Sequence, residues 1–157
     1  MLVIWTLLIA LVDQGIKGLV LATMWGKSYV IIPGIFSLSY RENTGAAFSM
    51  FEKLHISVLV GLNLLVLALF LFLIRPFLRA RLGRGAAMLV IGGALGNLID
   101  RVFRHHVIDY LDFHIWPVFN LADAFVVAGV LLLVWLIFRD ERARHDQPAD
   151  VPGGAKT

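Results

Sequence analysis

From Ile56 to Ile74 the chain carries no charged residue. As a helix, that run is long enough to cross about 30 Å of hydrocarbon. Three other apolar stretches accompany it. Residues 2–24 are interrupted by Asp13, Gln14 and Lys17, residues 85–101 are rich in glycine and alanine, and residues 119–138 hold Asp123 near their start. Of the 157 residues, 59% are hydrophobic and 16% charged, where an ordinary soluble domain has about 25% charged. A soluble globule of this size cannot hide that much apolar surface. The expectation is an all-α integral membrane protein: one four-span domain, residues 1–140, then a polar cytoplasmic tail, 141–157. An independently soluble enzyme and a disordered chain are excluded. The absence of cysteine removes disulfides, thiolate metal sites and a cysteine nucleophile. The first stretch reads as a span, not a cleaved leader, because it lacks a basic n-region and carries an acid and a lysine in its core.

Basic residues set the expected orientation. Arg75, Arg79, Arg81 and Arg84 sit between the second and third spans with no acid among them, and Arg139, Arg142 and Arg144 follow the fourth. Both termini and the 75–84 loop are therefore placed in the cytoplasm, and segments 25–55 and 100–120 on the outer face. The net charge of +3 is small and membrane-adjacent, so no nucleic-acid partner is expected. Segment 28–50 reads as β-rich. Phe36 to Tyr40 alternates after the Pro33-Gly34 turn signal, and Ala46 to Met50 offers a partner strand across Asn43-Thr44-Gly45. Met50 to His55 could form a short interfacial helix.

Polar residues near lipid require an explanation. Asp13 and Lys17 are four apart, acid first, which suits an intrahelical ion pair facing the bundle or bracing a site. Asn97 and Asp100 share a helix face after Gly92, Gly93 and Gly96, glycines that allow close helix approach. If Val107 to Phe113 is extended, Asp109 and Asp112 point to opposite faces; if helical, they share one. Asn120 could cap a helix with Asp123 at its third position, a purely structural use of that acid. The alternative use is as one of a carboxyl pair. Two aspartates brought together cannot both ionise, and such a pair performs acid–base hydrolysis with no metal and no cofactor. The histidines at 105, 106 and 114 could instead join Asp109 and Asp112 around a metal, or simply be solvated. A carrier with an ion path is a further alternative. Carriers place acids at the midplane, often within repeats, whereas these acids lie at span ends and no repeat is present.

Five motifs now stand in order: Asp13-Gln-Gly-Ile-Lys17, Asn43-Thr-Gly-Ala-Ala-Phe48, the run from Gly92 to Arg101, Val107-Ile-Asp-Tyr110, and Phe119-Asn-Leu-Ala-Asp123. With them the chain resembles the bacterial lipoprotein signal peptidases, the type II enzymes, over roughly residues 8 to 138. The resemblance implies an aspartic endopeptidase of the bacterial inner membrane. It would remove the signal peptide from diacylglyceryl-modified prolipoproteins, cutting before the lipidated cysteine. Apart from the resemblance, the chain is expected to act as a monomer among membrane lipids. The resemblance implies Asp109 and Asp123 as the catalytic pair. Asp13, Lys17, Asn43, Gly93, Asn97, Asp100, Arg101, Asn120 and Ala122 would bind substrate or brace the site. The family fold adds a small β-cradle and a short interfacial helix on the outer face.

Overall fold

The structure is a computed structural model that describes residues 2–44 and 56–145. The elements in order are α1 (Leu2–Met24), β1 (Ser28–Ile32), β2 (Phe36–Asn43), α2 (Ile56–Ile74), a short 3₁₀ turn (Arg75–Phe77), α3 (Arg81–Phe103), β3 (Val107–Asp112) and α4 (Leu121–His145). The strand expected at 46–50, the interfacial helix at 50–55 and the chain from 146 onward lie outside the described residues.

Four helices are long and apolar enough to cross a membrane. Their large apolar side chains point outward: Leu7, Leu11, Leu65, Phe72, Leu131 and Phe138 are all exposed. In α1 the buried positions are Thr6, Ala10, Asp13, Lys17, Val20 and Met24, one stripe at helical spacing that carries the polar residues inward. This arrangement inverts a soluble protein and suits hydrocarbon as solvent.

α3 is the central helix, with half of its apolar window buried against 11% for α2. Its small residues make that possible. A Cβ at Gly96 would lie 2.5 Å from Asp13 Oδ2, and one at Gly93 would collide with the Ala122 carbonyl oxygen. α1 and α4 therefore approach α3 at glycines, as the sequence suggests. α3 begins at Arg81, ahead of the expected start at 85, and α4 continues through Arg139, Asp140, Glu141 and Arg142 to His145, beyond 138. Charged residues, most of them of good helix propensity, extend an apolar helix past the hydrocarbon without breaking it.

The strands form one antiparallel sheet in the order β1-β2-β3. Pro33-Gly34 turns the chain between β1 and β2, with Gly34 at φ +72° and the Ile35 N–H donating to the Ile32 carbonyl at 3.0 Å. β1, Ser-Tyr-Val-Ile-Ile, is exposed along its whole length and has no alternation to read. β2 takes β1 on one side and β3, remote in sequence, on the other. β3 packs Ile108 and Tyr110 against Val20 and Met24 of α1. The sheet thus sits where α1 and α3 end and α4 begins.

Candidate active site

Lys17 occupies the centre of the polar interior and is fully buried. Its ammonium donates to Asp13 Oδ2, Asp100 Oδ2 and Asn97 Oδ1, each at 2.8 Å. Three donors meet three acceptors, so the cation is satisfied. Arg104 pairs with the other oxygen of Asp100 and donates to Gln14 Oε1 at 2.9 Å. Gln14 in turn donates to Asp100 Oδ1 and to the Gly96 carbonyl, both at 3.0 Å. Two acids and two bases therefore balance in the space between α1 and α3.

This charged group also starts α4. A helix leaves its first N–H groups without internal partners. Here the Leu121 N–H donates to the Tyr110 hydroxyl at 3.3 Å, Ala122 N–H to Asp13 Oδ1 at 3.0 Å, and Asp123 N–H to Asn120 Oδ1 at 3.0 Å. Asn120 N–H returns to Asp123 Oδ2 at 3.2 Å. Asn120 and Asp123 form a reciprocal capping box, which fixes the Asp123 carboxylate against the helix start.

Above Lys17, amides connect two carboxyl groups. Asn97 Nδ2 donates to Asp123 Oδ1 at 2.7 Å, while Asn97 Oδ1 accepts from Asn120 Nδ2 at 3.2 Å. Asn120 Nδ2 donates also to Asp109 Oδ1 at 2.6 Å. Asn43 Nδ2 reaches the remaining oxygen, Asp109 Oδ2, at 2.8 Å. Strand pairing explains this last contact. Asp109 opposes Arg41 across the β2–β3 ladder, which makes Asn43 its diagonal neighbour.

Asp109 is 2% exposed. Its carboxyl is pushed up to about 7 from an ordinary 3.8, first by burial and then by the charge of Asp123; the Asn43 and Asn120 hydrogen bonds and the charge of Lys17 oppose the shift. Asp123 lines two cavities, one of about 310 Å³ facing α2 and one of about 480 Å³ beside Trp116 and Phe119. The arrangement links a buried carboxyl, through Asn120 and Asn97, to a second carboxyl at the wall of a largely apolar space.

Each of the eleven site residues that the resemblance implies lies in or against this network. Gly93 and Ala122 contribute backbone, at the α3–α4 approach and at the start of α4. Arg101 donates weakly to the Asn97 carbonyl, 3.4 Å away, and faces the same cavity as Asp123. Asn43, a turn residue in the sequence that the resemblance implies binds substrate or braces the site, here donates to Asp109. Sequence reasoning gave no role to Gln14 or Arg104. Gln14 carried a signal, an amide within an apolar span; Arg104 read only as an outer-face charge. Asp112 points away from Asp109, as an extended segment requires, and accepts from Ser39 Oγ at 3.1 Å and the His114 N–H at 3.0 Å. Among the described residues no group of three His, Cys, Asp or Glu side chains is placed to hold a metal.

A family described as signal peptidase (SPase) II matches residues 5–139. The lipoprotein signal peptidase of Halothermothrix orenii is 42% identical over 147 residues, covering 90% of this chain and 98% of that protein. The lipoprotein signal peptidase of Brucella ovis is 42% identical over 148 residues, covering 88% and 92%. Two solved bacterial membrane enzymes share the fold. One superposes with a TM-score of 0.78 at 24% identity over 95% of this chain and 94% of its own. The other gives 0.72 at 26% identity over 88% and 93%.

Proposed function

The chain belongs to the signal peptidase II family, and on that premise we propose that it is an intramembrane aspartic endopeptidase acting on diacylglyceryl-modified prolipoproteins. It removes the signal peptide by cutting before the lipidated cysteine. The observation that carries this reading is the joint suspension of Asp109 and Asp123 from Asn97 and Asn120, with Asp109 buried and Asp123 at the wall of a cavity.

Asp123 accepts two N–H hydrogen bonds at the positive end of α4, so it is assigned the charge. Asp109, raised to about 7, holds the proton. A water between them gives a proton to Asp123 as its oxygen bonds to the scissile carbonyl carbon. Asp109 protonates the developing oxyanion. Collapse of the tetrahedral intermediate returns a proton to Asp109 and breaks the C–N bond. The amine leaves with the proton that Asp123 took. Lys17, Asp13, Asp100 and Asn97 do not react; they hold α1, α3 and α4 in register so that the carboxyls stay paired.

The protein works as a monomer in the bacterial inner membrane. Both termini are cytoplasmic, and the β-sheet end of the bundle carries the site near the outer face. The decisive assay incubates purified protein with a lipidated prolipoprotein and with its unlipidated form. Signal-peptide release from the first alone is expected. Release from neither, or equal release from both, contradicts the reading.

A further inference from the structure

Asn63 interrupts the apolar run of α2, and the acid–base steps give it no task. With Leu59, Leu62, Val66 and Leu67 it lies on one stripe of α2 that lines the 310 Å³ cavity. Further along, Phe70 and Ile74 close against Ala86, Ala87 and Val90 of α3. So α2 seals one end of the cavity and sets an amide in the wall of the other.

Asn63 Oδ1 is buried without a hydrogen-bond partner among the described residues, and so is Arg101 Nε, which faces the same cavity from α3. A buried carbonyl oxygen or N–H left without a partner is unfavourable. A ligand that satisfies both atoms would therefore be bound with selectivity. Their senses are opposite: Oδ1 only accepts, and Nε–H only donates. A lipid ester supplies acceptors alone and would meet Arg101 only. A peptide segment supplies N–H and C=O and meets both.

We infer that Asn63 is a substrate-binding residue that accepts a hydrogen bond from a backbone N–H of the signal peptide, while Arg101 Nε donates to a carbonyl of the same segment. This rests on the peptidase reading. A chain presenting its scissile bond to Asp109 and Asp123 is not helical there, so its backbone groups need partners from the enzyme.

The test measures equilibrium binding in an Asp109→Asn background. The probes are a lipidated prolipoprotein peptide and analogues in which an ester oxygen replaces one backbone N–H at a time upstream of the cut. Asn63→Leu should weaken the all-amide peptide about tenfold, the size of one good hydrogen bond. One ester position should weaken binding about tenfold when Asn63 is present and not at all in the Asn63→Leu variant. The thermal midpoint of Asn63→Leu should not fall, because a buried amide oxygen without a partner has been removed; Asn63→Ala provides the same comparison should the leucine not fit. An unchanged Kd, or ester effects equal in both backgrounds at every position, overturns the inference. So does a lowered midpoint with Kd intact. Failure of the peptidase reading looks different: with Asp109 restored, the protein would bind with this Asn63 dependence and release no signal peptide.

Discussion

Lys17 shows how single residues set the site's stability. It joins Asp13, Asp100 and Asn97 with no exposure to solvent. Removing one member of a buried charge group is expensive because the remaining charges stay buried. Lys17→Met should lower unfolding stability by about 3–5 kcal/mol, measured by thermal unfolding in detergent; a loss below about 1 kcal/mol would contradict its place at the centre. Asp109 adds a pH dependence. Below 3.8 both folded and unfolded states hold its proton. Between 3.8 and about 7 the unfolded chain has ionised and the folded one has not, so stability falls as pH rises, then levels off above about 7. The thermal midpoint should decline across that window, and Asp109→Asn should remove this part of the slope. Identical slopes in both proteins would contradict the burial assigned to Asp109. Some of this was legible in the sequence. The spacing of Asn97 and Asp100 gives one face, whereas Val107 to Phe113 leaves a strand and a helix both open, and only the strand, which β3 is, separates Asp109 from Asp112. Gln14 and Arg104 were not legible, because their partners come from another helix.

At the level of elements, the glycines of α3 decide the packing. Gly93 lies against the Ala122 carbonyl, at the turn of α4 that carries Asp123. Gly93→Val should therefore force α3 and α4 apart, costing about 1–3 kcal/mol. It should also reduce turnover more than Gly85→Val, because a Cβ at Gly85 would meet nothing within 4 Å. Equal effects at both positions, read by thermal midpoint and signal-peptide release, would contradict this. The helices were legible because unbroken apolar length needs no partner to be recognised. The sheet was legible only in part. β2 announces itself by alternation, whereas β1 is a uniformly exposed strand and β3 joins from 66 residues away, the separation of Asn43 and Asp109. Sequence periodicity describes a strand's faces and leaves its neighbours open.

For the whole molecule, an apolar exterior surrounds a polar interior concentrated where the sheet meets the bundle. The acid-free arginine group at 75–84 and the arginines at 139, 142 and 144 lie at the opposite end. A reporter active only outside the cytoplasm should stay silent when fused after His145 and become active when inserted in the β1–β2 turn at Gly34; the reverse pattern would invert the topology. The most direct test of the carboxyl pair is turnover of a lipidated prolipoprotein by wild type, Asp109→Asn, Asp123→Asn and the double variant across pH. If the two aspartates act as one unit, both single variants and the double are about equally inactive. Wild-type activity then follows a bell whose falling limb lies near pH 7, where Asp109 gives up its proton, and chelators leave it unchanged. Substantial turnover by either single variant, or losses that multiply in the double, would contradict the pair.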